Sequence, residues 1–196
     1  GGGKPGGAGQ NLGRIAERCR RMGRIIKNRG AFAKQESEGL RDVDVAGVVQ
    51  AVLEITQARA KSAEVDILWT PPERRLMVRG GEVRLQQVVL NLVSNAMDAM
   101  EGQEGPRRIE IDATPTGDRV ELYVRDTGPG LDEPDRIFDP FYSTKEVSQD
   151  GMGLGLSISY GLVQSFGGMI RGRNHPAGGA VFTVTLDAAQ DTEAAA

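Results

Sequence analysis

Apolar and polar positions along the chain predict four helices. Over residues 11–38 the apolar side chains step by three and four, the spacing of a helix in a coiled coil or bundle. A second helix should begin at its N-terminal cap, Asp44, and run to about Lys61. The same periodicity predicts helices over Glu82–Met100 and Leu154–Phe166, the last one stopped by the glycine pair that follows it.

Shorter alternating segments predict the strands. Segments 107–115 and 118–126, joined by Thr116 and Gly117, predict an antiparallel hairpin. The other predicted strands are 65–70, a brief extended piece at 76–78, 168–174 and 179–186. The predicted helices are too few to connect all of these strands through the crossovers that a parallel sheet needs. The sequence therefore predicts a two-layer α/β sandwich, with a mixed, largely antiparallel sheet and helices on one face.

The patterns also divide the chain into parts. Residues 1–10 contain six glycines and a proline and are interpreted as a linker or interhelical loop. Residues 11–40 form one long basic helix, 41–190 the α/β domain and 191–196 a frayed tail. The apolar seam of the basic helix cannot bury itself, so it requires partner helices that this chain does not supply.

Composition narrows the functional classes. With 39% hydrophobic and 26% charged residues the chain is an ordinary globular protein, and its net charge of −3 argues against nucleic-acid binding. The single Cys19 cannot form an internal disulfide, which fits a reducing cytoplasm. No apolar run approaches the roughly 20 residues that cross a bilayer, so membrane attachment is expected only through an upstream region.

The helix Glu82–Met100 carries a polar stripe opposite its apolar one. Such a stripe is normally the solvated face of a helix. Asparagine, however, is a poor helix former, and here Asn91 and Asn95 lie four residues apart on the same face. Because carboxamide oxygens suit Mg²⁺, these two residues are candidate metal ligands, with the solvated face as the alternative.

Two glycine-rich segments raise a second candidate chemistry. Asp126, Gly128 and Gly130 follow a strand, either as a simple exit turn or as a carboxylate that accepts a hydrogen bond from an adenine amine. Segment 139–159 places a lysine, a polar run and three glycines ahead of a helix. That arrangement suits phosphate at the helix N-terminus, with a flexible surface loop as the alternative.

Four stretches in order carry a resemblance: NLVSNAMDAM (91–100), DTGPGL (126–131), IFDPFYSTK (137–145) and GMGLGLSIS (151–159). They resemble the asparagine box, first glycine box, phenylalanine box and second glycine box of the catalytic, ATP-binding domain of two-component sensor histidine kinases. The resemblance covers about residues 44–187, and the basic helix resembles the second helix of the family's dimerisation domain. It implies the fold shared by gyrase, MutL and histidine kinases, with ATP under a mobile lid.

The resemblance also implies residue roles. Asn95 would coordinate Mg²⁺, Asn91 would support it, Asp126 would read adenine, and Lys145 would reach the terminal phosphates. The resemblance therefore implies that Asn91, Asn95 and Lys145 are catalytic. Further implied nucleotide contacts are Asp98, Gly128, Gly130, Thr144, Gly151, Gly153, Leu154, Gly155, Leu156 and, more weakly, Thr183.

The implied activity is transfer of the ATP γ-phosphoryl group to a histidine on a dimerisation helix, and then to a response-regulator aspartate. Related ATPases carry a glutamate base where this chain has Asn91, which disfavours hydrolysis. An ATPase or a serine kinase of the same fold stays the alternative. The only histidine, His175, is expected in a surface turn and not as the phosphate acceptor.

One departure from the family pattern indicates a subgroup. Many members carry Lys-Tyr where this chain has Asp98 and Ala99. The form found here resembles nitrogen-regulation and, most closely, four-carbon-dicarboxylate sensors, although this says little about the chain's own signal. The implied partners are the dimerisation helix, in a homodimer when complete, and a cognate response regulator.

Overall fold

The structure, a computed structural model, describes residues 40–140 and 154–189, all within the unit that begins at Leu40. The predicted linker and basic helix lie outside the described residues. So do Thr144, Lys145, Gly151 and Gly153. Among the described helices, none combines the length and apolarity needed to cross a bilayer.

Three helices and seven strands make up the described part. The helices are α1 (Val45–Ser62), α2 (Glu82–Ala99) and α3 (Gly155–Ser165). The strands are β1 (Arg41–Asp44), β2 (Asp66–Thr70), β3 (Met77–Gly80), β4 (Arg108–Thr116), β5 (Arg119–Asp126), β6 (Met169–Asn174) and β7 (Ala180–Asp187). Every predicted helix and strand within this part is present, with boundaries shifted by one or two residues.

Five strands form the main sheet, in the order β2-β4-β5-β7-β6. Only β2 and β4 pair in parallel, with Asp66 opposite Arg108, whereas the other pairs are antiparallel. The predicted mixed, largely antiparallel sheet is confirmed. Strands β1 and β3 form a separate antiparallel ribbon, which a bridge between Val78 and Ala188 connects to the end of β7.

Alternation along the central strands puts the core between the sheet and the helices. Inward side chains of β4 and β5 are buried, whereas the residues between them stay partly exposed. The predicted apolar stripe of α2 packs against this face, and all of its members are buried: Leu85, Val88, Val89, Leu92, Val93, Ala96 and Met100. One sheet face is therefore covered by helices, as predicted.

Strand β1 was not predicted, because its sequence RDVD holds a single apolar residue. Val43 is buried, and the strand is completed by pairing with β3, which lies more than 30 residues later in the chain. Its last residue, Asp44, also caps α1: the carboxylate Oδ1 accepts from the Ala46 amide at 3.1 Å. That cap was predicted.

We expect Asp44→Ala to lower the free energy of unfolding by about 1 kcal/mol, the usual cost of losing a helix N-cap. Asp42→Ala is the matched control, because Asp42 pairs with Arg79 much as Asp44 pairs with Arg75, yet Asp42 caps no helix. Asp42→Ala should lower the free energy of unfolding by less than about 0.5 kcal/mol, the contribution of an exposed ion pair. Urea denaturation measures both, and equal losses would contradict the cap.

Candidate functional site

Several of the predicted site residues lie on α2, at the end of β5 and at the start of α3. Asn91, Asn95 and Asp98 lie along the helix on a half-buried stripe. Asp126 ends β5, and Leu154 and Gly155 begin α3. The described residues include no cluster of three or more His, Cys, Asp or Glu side chains.

Asn91 connects α2 to the first turn of α3. Its Nδ2 donates to the carbonyl of Gly155 at 3.2 Å and to Oγ of Ser159 at 3.1 Å. Ser159 Oγ in turn donates to the Gly155 carbonyl at 2.9 Å. The sequence analysis did not identify Ser159, because a serine in an amphipathic helix gives no signal of a contact 68 residues away.

Among the described residues, no side chain caps the start of α3. Leu154 stands at the N-cap position and has no polar side chain to accept from the first turn. A helix N-terminus of this kind has free N–H groups and a partial positive charge, which favour an anion. Gly155 lies beside Asn91, and the phosphate contacts predicted for Gly155 and Leu156 stay predictions.

Asp98 has a different partner from the asparagines. Its Oδ1 forms an ion pair with Nη2 of Arg59, which belongs to α1. Both side chains are about half exposed, and the pair connects the C-terminal halves of α1 and α2. Asp98 therefore takes part in helix packing, and Arg59 is a partner that its sequence position did not reveal.

Asp126 is the most buried charged group of the described domain, with 3% of the residue exposed. Its Oδ1 accepts from the amides of Gly128 at 2.8 Å and Ala180 at 3.2 Å. No described residue donates to Oδ2. Burial raises the pKa of this carboxyl, while the two amides and nearby Arg125 partly oppose the rise.

Two glycines make room for this carboxylate. A Cβ on Gly128 would lie 2.9 Å from Asp126 Oδ1 and 3.3 Å from the Met100 side chain. A Cβ on Gly179, whose φ is +83°, would lie 1.9 Å from the Asp126 carbonyl oxygen. Gly128 was predicted from its motif. Gly179 was not, because the turn before β7 lies over 50 residues away in sequence.

Asn174 fixes the loop that follows Asp126. Its Oδ1 accepts from the Leu131 amide at 2.6 Å, and its Nδ2 donates to the Leu131 carbonyl at 2.9 Å. Gly130 lies directly beside this double contact, with its Cα facing Asn174. An asparagine at a strand end is ordinary turn chemistry, so its sequence context did not indicate this role.

Thr183 does not reach this site. It pairs with Tyr123 and Arg171, on the sheet face away from the helices, whereas Asp126 lies on the helix-covered face. Ala180, three residues earlier, is the β7 residue that contacts Asp126, through its amide. Because side chains alternate between faces along a strand, an odd offset of three places Thr183 on the wrong side.

His175 lies in the turn between β6 and β7, as expected. Its backbone exchanges contacts with Gly178 and Gly179, and its Nδ1 accepts from the Ala177 amide at 3.1 Å. This nitrogen is thus engaged in shaping the turn.

Comparison with known proteins agrees with this geometry. Residues 80–190 match the family model described as histidine kinase-, DNA gyrase B- and HSP90-like ATPase. The chain is 34% identical over 178 residues to the C4-dicarboxylate transport sensor protein DctB of Pseudomonas aeruginosa, covering 90% of this chain and 29% of DctB. It is 31% identical over 183 residues to the sensor protein FixL of Bradyrhizobium diazoefficiens, covering 92% of this chain and 35% of FixL.

Solved structures show the same fold. The nucleotide-free catalytic domain of histidine kinase ThkA superposes with a TM-score of 0.67 at 27% identity, covering 76% of this chain and 96% of that domain. ThkA in complex with response regulator TrrA superposes with a TM-score of 0.69 at 23% identity, covering 95% of this chain and 53% of ThkA, a likeness of fold alone. The chain thus spans about a third of the curated sensors it matches and nearly all of the solved catalytic domain.

We expect Gly179→Ala to destabilise the domain far more than Gly178→Ala. Both glycines have positive φ, so both substitutions carry a left-handed backbone cost of about 1–2 kcal/mol. A Cβ at Gly178 meets nothing within 4 Å, whereas one at Gly179 collides with the Asp126 backbone. Urea denaturation of both variants isolates the collision, and similar losses would show that the close approach to Asp126 is unimportant.

We expect Asp126→Asn to stabilise the ligand-free chain near neutral pH, raising Tm by roughly 2–4 °C, the shift that about 1 kcal/mol gives in a domain of this size. The amide keeps an oxygen for Gly128 and Ala180 and removes a buried charge. Burial raises the pKa of Asp126 in the folded chain. The destabilisation by the buried charge is therefore absent at a pH below the pKa of the unfolded chain, near 4, and complete at a pH above the pKa of the folded chain. The advantage should therefore vanish in thermal scans as pH falls towards about 4. An advantage that does not depend on pH would contradict the buried charge.

Proposed function

This chain belongs to the histidine kinase-, DNA gyrase B- and HSP90-like ATPase family, and on that premise we propose that it is the ATP-binding catalytic part of a protein-histidine kinase. The observation that supports this most is the environment of Asp126, a buried carboxylate with one oxygen held by two backbone amides and the other unused by described residues. A group of that kind selects a donor, such as the exocyclic amine of adenine.

The adenine end of the site is formed by the sheet. Oδ2 of Asp126 is proposed to accept from the base, and Gly128 and Gly130, which carry no side chain of their own, are proposed to let the base lie close. Asn174 and Gly179 keep the loop and the turn in the positions that leave this space. Because these contacts are made by strands and a tight turn, the base meets a pre-formed surface.

The phosphate end is formed by α2 and α3. Free amides at Gly155 and Leu156 bind phosphate oxygens at the N-terminus of α3. Lys145, Thr144, Gly151 and Gly153 are proposed to complete this end, on the strength of the sequence motifs. Asp98 is likewise proposed as a nucleotide contact on the strength of the sequence motif, and it also pairs with Arg59.

The described residues fit a magnesium ion. Asn91 and Asn95 carry amide oxygens one helical turn apart on a half-buried face, and Mg²⁺ takes oxygen ligands from few side chains while phosphates and waters supply the rest. Asn95 is the proposed protein ligand. The ion, when bound, neutralises charge on the phosphates during transfer.

The acceptor is proposed to be a histidine on a dimerisation helix, not water. Asn91 has no basicity with which to activate water, and a neutral imidazole needs no base. Its nitrogen bonds to the γ-phosphorus as the bond from phosphorus to the bridging oxygen breaks, and ADP leaves with that electron pair. His175 is not proposed as the acceptor, because it lies in the turn between β6 and β7, which its Nδ1 and its backbone help to shape.

The remaining assignments concern the whole protein. We propose that residues 11–40 are the second helix of a dimerisation domain, that the complete kinase is a homodimer, and that phosphate passes to a response-regulator aspartate. The domain itself would work in the cytoplasm, with any membrane anchor located upstream. A four-carbon dicarboxylate is one candidate class of signal, since the relatives include DctB. An ATPase or serine kinase of this fold is the second candidate, and Asn91 is the observation against it.

We expect the chain to bind ATP analogues with Mg²⁺ and to show slow hydrolysis and no autophosphorylation. Asp126→Asn should weaken binding at least about tenfold, because an amide can present a donor to the adenine amine. Calorimetry with a non-hydrolysable analogue measures this, and Asp112→Asn, on the outer sheet face, is the control that should bind normally.

Supplying a histidine-bearing dimerisation fragment and labelled ATP tests the transfer. Acid-labile phosphate should appear on the fragment only, and Asn95→Ala should abolish it. Rapid ATP turnover without an acceptor would favour the ATPase, and phosphate on His175 would refute the proposed acceptor.

A further inference from the structure

A closed set of three hydrogen bonds connects α2 to α3 away from the adenine end. Asn91 Nδ2 donates to both the Gly155 carbonyl and Ser159 Oγ, and the Ser159 hydroxyl donates to the same Gly155 carbonyl at 2.9 Å. Ser159 is completely buried, with no exposed surface, whereas Asn91 is half-buried. The contacts therefore fix the Asn91 amide from its buried side only.

These contacts determine which way the Asn91 amide faces. A backbone carbonyl is only an acceptor, so the group that approaches Gly155 must be the amide nitrogen. The Ser159 hydroxyl gives its hydrogen to the same carbonyl and offers a lone pair to Nδ2. Rotating the amide by half a turn would set Oδ1 against the Gly155 carbonyl oxygen. Oδ1 is consequently turned away from α3, and no described residue donates to it.

Ser159 has a hydrogen-bond acceptor for its hydroxyl even without Asn91. Its hydroxyl is already bonded to the carbonyl four residues earlier in α3, as Thr56 is bonded to Val52 in α1. Ser165 makes a similar bond at 2.6 Å to Leu162. The contact to Asn91 is thus an addition that the other two hydroxyls, which bond only within their own helices, do not make.

We propose that Ser159 is a positioning residue that holds the Asn91 amide so that only its acceptor oxygen faces the phosphate end of the site. This inference rests on the proposed function. An amide held in this way can accept from a metal-bound water or face a cation, and it cannot turn its donor towards the phosphates. Removing the hydroxyl should loosen the amide and weaken the Mg²⁺-dependent part of nucleotide binding.

The experiment compares nucleotide affinity in Mg²⁺ with affinity in EDTA, using calorimetry of the full chain and a non-hydrolysable ATP analogue. Ser159→Ala should reduce the gain in affinity from Mg²⁺ by about threefold to tenfold, the range for one lost hydrogen bond, and leave the EDTA affinity unchanged. Ser165→Ala is the matched control, since it removes a hydroxyl from the same helix without touching α2. It should keep the full gain.

A double-mutant cycle with Asn91→Ala separates positioning from simple support of the fold. If Ser159 acts through Asn91, Ser159→Ala should change the Mg²⁺ gain no further once Asn91 is alanine. Ser159→Thr, which keeps the hydroxyl, should restore the gain, and melting temperatures identify any variant that merely unfolds.

Three outcomes would overturn the inference. The first is an unchanged Mg²⁺ gain in Ser159→Ala, and the second is an equal loss with and without Asn91. The third is a wild-type chain that binds nucleotide equally well in Mg²⁺ and EDTA, which would leave nucleotide binding itself intact. Failure of the wild-type chain to bind any nucleotide would instead refute the proposed function, so the two failures are distinguishable.

Discussion

A charged carboxylate buried at the end of a central strand is the constraint on which the rest of the site depends. Asp126 must be compensated, because a buried ionised group without partners is strongly unfavourable. Its partners are backbone amides, one from the turn directly after β5 and one from the first residue of β7. Backbone donors demand close approach, so two positions of the chain beside Asp126 have no room for a Cβ. Gly128 and Gly179 meet that demand from two distant parts of the sequence.

How much the sequence could predict depends on how local the signal is. The helices, the sheet class and the buried stripe of α2 follow from periodicity, which each segment carries by itself. Asp126, Gly128 and Asn91 could be predicted as site residues because they lie in compact motifs. Strand β1 was missed because it is stabilised by pairing with β3. Its four residues include one apolar side chain, which is too few to show the alternation of apolar and polar positions that marks a strand.

The missed site residues share a different cause. Asn174, Gly179 and Ser159 act through contacts with residues 43 to 68 positions away, and each looks ordinary among its neighbours in sequence. Thr183 differs from them in its geometry: its offset from Ala180 is odd, so its side chain lies on the opposite sheet face from that of Ala180. Residue type and motif order indicate that β7 contributes to the site, whereas only its pairing register shows which of its side chains face the helix-covered side of the sheet.

The β1–β3 ribbon has a mechanical consequence. The chain enters the domain at Leu40, whose carbonyl is held by Arg79, and β7 ends beside Met77 at the other end of the same short ribbon. A pull or twist transmitted along the chain from upstream would load the four-residue ribbon in shear before it reached the five-stranded sheet. The ribbon therefore separates the point where the chain enters the domain from the sheet that holds Asp126.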